Sequence, residues 1–427
     1  MAGVCIEEQP RRADHILSLV YAGKINLKSP LRYYGRLADE PEKLPWWTSY
    51  SIALSGVDHE GMFVPASGGL RLGVPGPPLW ATIIFLLTLP GIVTCLRLRF
   101  ARRKTMIWSL QGVLAAMGLV IAVYPFSPRI VGGKLEVTVL DVGQGDSLFV
   151  ISPTGKTLLI DGSKAFGGFP GQEQVRGIDP GEEAVSPYLW SRGFKRIDAM
   201  ALTHAHQDHV GGLTAILEHF GVGRLWIGRE VNNSALAKLE ALARERNLPI
   251  EFETRGKRFS LDEVQGEFLW PEISPADLAA AAKNNDSLVL KLKCGNRTLL
   301  LPGGAEKQAE HTMLKENAAA LHADVLKVGH HGSKNSTTQE FLDTVAPTIA
   351  IISSGEDNPY GHPSPELLER LEASGARVLR TDRDGAVHIV TDGDRLEISC
   401  FLACAGLATV TISRRAETPN QNQNNQQ

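Results

Sequence analysis

Three histidines and one carboxylate lie within six residues of this chain: His204, His206, Asp208 and His209. Imidazole and carboxylate are ligands that zinc and similar divalent cations prefer. The apolar run Ile197–Leu202 predicts a strand just before them, and residues two apart in an extended segment share a face, so His204 and His206 can bind one ion. The turn that follows carries Asp208 and His209 toward a second position. A solvated, histidine-rich turn is the alternative.

Hydrolysis is the chemistry that such a centre supplies, because a divalent cation lowers the pKa of a bound water toward neutrality. Four further motifs accompany the histidines. They are Leu-Asp-Val-Gly-Gln-Gly-Asp-Ser at 140–147, Leu-Leu-Ile-Asp-Gly at 158–162, Val-Gly-His-His-Gly-Ser at 328–333 and Tyr-Gly-His-Pro at 360–363. In this order, the five motifs resemble the C-terminal domain of ComEC-type DNA-uptake (competence) proteins, which has the metallo-β-lactamase fold.

The resemblance covers residues 134–412 and implies an α/β fold, the four-layer αββα sandwich of the metallo-β-lactamases. Strands and helices alternate here, with helices predicted at Glu183–Arg192, Leu213–His219, Glu306–Asn317 and Pro365–Ala373. The resemblance implies one or two divalent ions, Zn²⁺ or Mn²⁺. The metal ligands that it implies are His204, His206, Asp208, His209 and His362.

Other site residues follow from the same resemblance. It implies catalytic roles for Asp208, His330 and His331. One of these two histidines is expected to contact the scissile phosphate or to act as an acid. Ser333 and Lys334 are expected to bind phosphate oxygens, with a capped loop as the structural alternative. Asp146 and Asp161 are expected to lie behind the ligands and orient them.

One position departs from the family pattern. Residues 300–304 read Leu-Leu-Pro-Gly-Gly, where the family has Thr-Gly-Asp and the aspartate bridges two metals. Gly304 removes that ligand, and Glu306, at the start of a predicted helix, is the candidate replacement. The loss favours two alternatives to a two-metal enzyme: a one-metal enzyme, or an inactive relic that still binds DNA.

The sequence before the large domain, residues 1–127, is predicted to contain three further segments. Residues 1–28 show no chemistry, and residues 29–76 alternate between apolar and polar residues among Pro/Gly turns, which predicts a small β domain. This domain is similar to the short, OB-like barrel of ComEC-type proteins. Its aromatic residues, such as Tyr33 and Trp46, either stack on single strands or fill its core.

Residues 79–127 predict two transmembrane helices, because two uncharged runs, Trp80–Leu96 and Met106–Phe126, approach the roughly 20 residues that span a bilayer. Two buried core helices are the alternative. The basic segment 97–104 between them is expected on the cytoplasmic side of an inner membrane, which places the soluble domains outside the cytoplasm. Family members have more membrane helices, so this chain is expected to be an abbreviated member served by a separate channel-forming chain.

The overall composition gives little further information about function. A net charge of −3 and a charged fraction of 21% predict no global affinity for nucleic acid, so contact with DNA requires a local patch. Cys400 and Cys404 are expected to be packing residues. The segment 413–427, which ends in Asn and Gln, is expected to be disordered.

The leading interpretation is therefore a membrane-anchored, metal-dependent hydrolase that cleaves phosphodiester bonds of DNA during uptake. A catalytically impaired DNA-handling or assembly module is one alternative. Another hydrolase of the same fold, acting on lactams, lactones or thioesters, is the second, because fold alone does not define substrate.

Overall fold

The computed structural model describes residues 79–97, 101–124, 126–163, 181–229, 231–272, 283–356, 358–402 and 410–413. The predictions for residues 1–78, and for all but the first residue of the tail 413–427, lie outside these ranges. The chain divides into two compact units. Of the described residues, those between 79 and 129 and between 187 and 195 belong to one unit, and those between 130 and 186 and between 196 and 413 belong to the other.

Two long helices, α1 (Leu79–Arg97) and α2 (Arg103–Val123), make up most of the described part of the smaller unit. They pack against each other where Gly91 of α1 allows Leu110 of α2 to approach. In the described chain, α1 is the one helix long and apolar enough to cross a membrane, and most of its side chains are exposed. Exposure disfavours a buried core helix here, whereas the expected second span at α2 stays a prediction.

The larger unit is built mainly of strands joined by short helices. Its described strands are β1 (Leu135–Val139), β2 (Leu148–Ile151), β3 (Thr157–Ile160), β4 (Arg196–Ile197), β5 (Ala199–Leu202), β6 (Gly221–Val222), β7 (Leu225–Ile227), β8 (Ile250–Phe252), β9 (Arg258–Leu261), β10 (Val264–Trp270), β11 (Val289–Cys294), β12 (Arg297–Leu301), β13 (Val325–Lys327), β14 (Ile349–Ile352), β15 (Arg377–Arg380), β16 (Val387–Thr391), β17 (Arg395–Cys400) and β18 (Val410–Ser413). The helices that follow α2 are α3 (Ser186–Ser191), α4 (Gln207–Val210), α5 (Leu213–His219), α6 (Ser234–Glu245), α7 (Lys307–Leu321), α8 (Gln339–Val345), α9 (Pro365–Ala373) and α10 (Thr381–Asp384).

Two large sheets contain nearly all of these strands. Nine strands pair in the order β18-β17-β16-β1-β2-β3-β5-β7-β8, and seven pair in the order β15-β14-β13-β12-β11-β10-β9. The strands β3, β5, β7 and β8 run parallel, as do β12 to β15. Parallel neighbours end at the same edge of a sheet, so the loops after β3, β5, β13 and β14 can meet.

The two sheets pack face to face. Alternate residues of a strand share a face, and Leu135, Val137 and Val139 of β1 lie in one buried cluster with Leu290 and Leu299 of the second sheet. This shared core forms the two inner layers of the sandwich.

Helices cover the outer face of the second sheet. Leu300 and Leu326 pack there with Met313 of α7, Phe341 of α8 and Leu371 of α9. In the first sheet, the residues of β5 are buried on both faces, which is typical of parallel strands covered on both sides. The expected α/β sandwich is confirmed.

The packing expected of Cys400 is confirmed, whereas Cys404 lies outside the described residues. Cys400, at the end of β17, packs against the core between the sheets and is also disulfide-bonded, whereas Cys95 and Cys294 are free and buried. Sequence spacing could not show this, because a disulfide depends on the distance and direction of two Cβ atoms.

Candidate metal centre

The predicted site residues follow the ends of strands at one edge of the sandwich. Asp161 follows β3, His204 to His209 follow β5, and His330 and His331 follow β13, while Asp146 lies in the loop between β1 and β2. Segments far apart in the sequence therefore come together.

Asp161 lies directly behind the histidine motif. Its Oδ1 accepts a hydrogen bond from the Thr203 backbone N–H (2.7 Å), and its Oδ2 lies 2.7 Å from both Thr203 Oγ1 and His209 Nδ1. A carboxylate on Nδ1 fixes the ring and leaves Nε2 for a metal. This geometry fits the orienting role predicted for Asp161.

Asp146, His209 and His331 form a buried cluster in which one ligand atom from each lies within 4.8 Å of the others. His331 Nδ1 is 3.3 Å from Asp146 Oδ1, and His331 Nε2 is 3.3 Å from Asp208 Oδ2. The resemblance implied that Asp146 lies behind the ligands and that His331 lies beside the metals, where it or His330 contacts the scissile phosphate or acts as an acid. In the structure both lie with His209 and Asp208, as members of a possible ligand set.

His204 completes the cluster on its other side. Its ring centroid is 4.0 Å from that of His209 and 4.8 Å from that of His206, which is half-buried. The hydroxyls of Thr203 and Ser287 both lie 3.2 Å from His204 Nδ1. These contacts hold the Nδ1 side of the ring and leave Nε2 facing away from them.

Several ligand atoms of this cluster are buried without a hydrogen-bond partner in the described structure: Nε2 of His204, of His209 and of His331, and Oδ1 of Asp146. Each such buried atom costs about 1–3 kcal/mol when left unsatisfied. Imidazole nitrogens and a carboxylate oxygen suit zinc and similar cations. The residues therefore fit a divalent ion. The main indication of a metal site is that several buried ligand atoms lack a hydrogen-bond partner.

Charged and titratable side chains surround Asp146 in this cluster and shift its pKa. Burial opposes its ionisation, but contact with Lys327 and the proximity of His331 hold the pKa of Asp146 well below its ordinary value. Burial likewise opposes a charge on His331, yet Asp146 and Asp208 raise the pKa of His331 to about 9. Burial, together with His209, lowers the pKa of His204. The carboxylates are thus ionised and ready to act as ligands.

His330 and His362 form a second group at the rim. His330 Nδ1 lies 2.9 Å from Glu306 Oε1, which also accepts a hydrogen bond from Asn284 Nδ2 (3.2 Å). The His362 ring lies 5.6 Å from that of His330, and its other described ring neighbour is Tyr360. Burial, together with His331 and His362, lowers the pKa of His330 to about 3. The assignment of His362 as a metal ligand stays a prediction.

The backbone is left-handed at four residues in the loops that carry the site. Asp161, Ser163, His330 and His331 have φ values of 59°, 64°, 46° and 55°. Non-glycine residues rarely adopt this left-handed region, and such strain clusters at functional sites. The fold therefore holds these side chains in positions that relaxed loops would not give them.

Ser333 and Lys334 lie beyond the rim. Ser333 is buried, and its hydroxyl accepts a hydrogen bond from the Asn335 backbone N–H (3.3 Å), as in the capped-loop alternative. Lys334 is exposed. Their phosphate-binding role stays a prediction.

Gly304 faces the centre. A Cβ atom at this position would lie 2.6 Å from Cε1 and 3.0 Å from Nε2 of His204. A longer residue here would thus meet a predicted ligand directly. The described contacts of Glu306 are with His330 and Asn284, on the rim, rather than with His204.

Comparisons with known proteins agree with this geometry. A family model described as the metallo-beta-lactamase superfamily matches residues 140–356. The chain is 36% identical over 326 residues to ComE operon protein 3 of Bacillus subtilis, a match that covers 75% of this chain and 40% of that protein.

Two further relatives match a similar share of the chain. Competence protein ComA of Neisseria gonorrhoeae is 30% identical over 255 residues, covering 60% of this chain and 32% of that protein. Recombination protein 2 of Haemophilus influenzae is 30% identical over 263 residues, covering 62% of this chain and 30% of that protein. The chain thus spans less than half the length of these relatives. It belongs to the metallo-beta-lactamase superfamily, and its large domain is of the ComEC type.

Proposed function

We propose that this chain is a membrane-anchored, divalent-metal-dependent hydrolase that cleaves phosphodiester bonds of DNA during uptake. The observation that carries the proposal is the convergence of the buried Nε2 atoms of His204, His209 and His331 beside the carboxylates of Asp146 and Asp208. Similarity to proteins named for competence supports DNA as the substrate.

The residues of the chain have distinct roles in this proposal. One or two ions, Zn²⁺ or Mn²⁺, would be held by a set drawn from Asp146, His204, His206, Asp208, His209 and His331. When bound, such an ion offsets negative charge on phosphodiester oxygens and lowers the pKa of water. Asp161 fixes the His209 ring, the hydroxyls of Thr203 and Ser287 fix the His204 ring, and Lys327 keeps Asp146 ionised.

His330 is the proposed proton carrier. Its Nδ1 is held by Glu306, and its side chain remains partly exposed at the rim. Because the pKa of His330 is lowered to about 3, the ring is neutral, and a neutral histidine oriented by a carboxylate in this way can accept a proton from an attacking water. His331 is more deeply buried against Asp146 and Asp208, which raise its pKa to about 9, so it would hold the ion after releasing a proton.

Placement at the inner membrane, with the soluble domain outside the cytoplasm, belongs to the same proposal. Apolar α1 supports an anchor, with α2 as a proposed second span and the basic segment 97–104 on the cytoplasmic side. The disulfide at Cys400 supports an oxidising compartment for the large domain. A separate chain is proposed to form the DNA channel.

The test is cleavage by the full chain, purified in detergent, of supercoiled and single-stranded DNA with added Mn²⁺ or Zn²⁺. We expect cleavage that a chelator abolishes and that His206→Ala lowers at least about tenfold. His311→Ala, on the exposed side of α7, is the matched control and should retain full activity. Absence of chelator-sensitive cleavage with every metal would sink the nuclease proposal.

Gly304 favours one second candidate, a DNA-handling or assembly module without turnover. Position 304 faces His204 but offers no carboxylate to bridge two ions. This candidate predicts DNA binding without cleavage and fewer than two ions per chain. The same cleavage assay, run beside a DNA-binding assay, separates it from the enzyme.

A further inference from the structure

A cleft of about 400 Å³ opens beside the candidate metal centre. Its lining includes Glu356, Asn358, His362, Arg380 and Arg383. The volume lies within the range of about 300–1,000 Å³ that small-molecule sites occupy. The His362 ring lies 5.6 Å from that of His330, so the cleft adjoins the rim of the centre.

Asn358 fixes the loop that forms one wall of this cleft. Its Nδ2 donates to the carbonyls of Gly355 (2.9 Å) and His362 (2.5 Å). Its Oδ1 accepts from the backbone N–H groups of Tyr360 (3.2 Å) and His362 (3.0 Å). A single side chain thus sets the positions of Tyr360 and His362 relative to each other.

Tyr360 offers an exposed aromatic face beside His362, which lines the cleft. Its ring stacks on that of His362, with centroids 6.0 Å apart and planes 21° apart, and the residue is 54% exposed. An exposed tyrosine held in a fixed orientation contributes little to a core. It is suited to stacking on a planar ligand.

The charged groups of the cleft suit one anionic group. Arg380 is engaged with Asp382 through Nε (3.0 Å) and Nη2. Arg383 is exposed and makes no ion pair with a residue that the structure describes. His362 Nδ1 is buried without a hydrogen-bond partner there, while the exposed carboxylate of Glu356 limits the positive charge.

We propose that this cleft binds the nucleotide next to the scissile phosphodiester: Arg383 contacts its phosphate, and its base stacks on Tyr360. Guanidinium groups bind phosphate through paired hydrogen bonds, and every base has a face that can stack. A base is free to stack on a side chain only when it is unpaired, so the occupant is a single strand of nucleic acid. This inference rests on the proposed function and gives its substrate class.

The test measures binding of the full chain to a fluorescein-labelled oligothymidylate in the presence of a chelator, across a range of salt concentrations. Tyr360→Ala should weaken binding about tenfold, as expected for the loss of base stacking, and leave the salt dependence unchanged. Arg383→Ala should reduce the slope of log K against log salt by about 0.7, the value for one phosphate contact on a single strand.

Two variants serve as matched controls. Tyr360→Phe retains the ring and should bind as the wild type does. Arg258→Ala, which removes an exposed arginine from β9, changes net charge equally and should leave affinity and salt slope unchanged. Thermal unfolding of each variant shows whether the fold is retained.

The outcomes separate this inference from the proposed function. Cleavage of DNA by the wild type, measured in parallel with strand binding, tests the proposed function by itself. If the wild type hydrolyses nothing but both variants bind the strand less well, the subsite stands and the nuclease proposal fails. Unchanged strand binding in folded variants, or an equal loss of duplex binding, would overturn the subsite.

Discussion

At the scale of single residues, the centre depends on what lies behind each histidine. Asp161 holds His209, and two hydroxyls hold His204, so both rings present Nε2 to the same region. The His204 ring also fills the space that a side chain at position 304 would need. Glycine at 304 is therefore matched to the present position of His204.

Gly304→Ala should disturb the centre, because its Cβ would come within 2.6 Å of His204 Cε1, and that ring is held by hydroxyls on its other side. We expect the free energy of unfolding to fall by about 1–3 kcal/mol, as for overpacking in a core, and metal affinity to fall with it. Urea denaturation and metal titration measure the two effects. Gly132→Ala is the control, since a Cβ there meets nothing within 4 Å; equal stability of both variants would contradict this account.

The local part of the site could be predicted from the sequence, whereas the grouping of distant residues could not. His204, His206, Asp208 and His209 lie on one strand and turn, so their spacing alone brings them together. Asp146 and His331 meet only because the loops after different strands converge. The contact between Asp146 and Lys327 joins residues 181 positions apart, and no local pattern reports such a contact.

At the scale of helices and strands, the sequence predicted the bounds of two helices correctly. The bounds of α5 and α9 agree with the predicted helices, and α9 begins at Pro365 after a Ser364 cap. No helix was predicted at α6, although Asn233 caps it and Leu236 and Leu239 lie on its buried face. The cap was the signal that could have revealed this helix.

Asn233 joins α6 to the metal loop, which gives a prediction at this scale. Its Oδ1 caps the helix at the N–H groups of Ala235 and Leu236, and its Nδ2 donates to Ala205 O at 2.8 Å, between two of the histidines. Asn233→Asp keeps the cap but loses the donor, so metal affinity should fall while the helix remains. Asn233→Ala should lose both, with an additional cost of about 1 kcal/mol in the free energy of unfolding.

Calorimetric metal titration and thermal unfolding distinguish the two effects. Asn317→Asp, at an exposed position within α7, controls for the change in charge. Wild-type metal affinity in Asn233→Asp would show that the bond to Ala205 has no part in shaping the centre.

At the scale of the whole molecule, two units have different surfaces. The sandwich buries its apolar residues between and behind two sheets. The helix α1 instead exposes large apolar side chains, among them Leu87 at 66%. A long apolar helix with an exposed surface is suited to lipid.

Leu87→Arg should therefore weaken membrane association. Arginine near the centre of a spanning helix costs about 2.5–3.5 kcal/mol on insertion scales. Membrane pellets washed with carbonate measure the effect, and Leu87→Phe, which remains apolar, is the control. An unchanged membrane fraction for Leu87→Arg would show that α1 is not the anchor.

The central claim is that histidines and carboxylates from separate loops hold a divalent ion together. Elemental analysis of the full chain, reconstituted with Mn²⁺ or Zn²⁺, tests it most directly. We expect at least one ion per chain in the wild type and in His311→Ala, and loss of that ion in His209→Ala and in His331→Ala. Wild-type metal content in both of these last variants, or no ion in the wild type, would contradict the account.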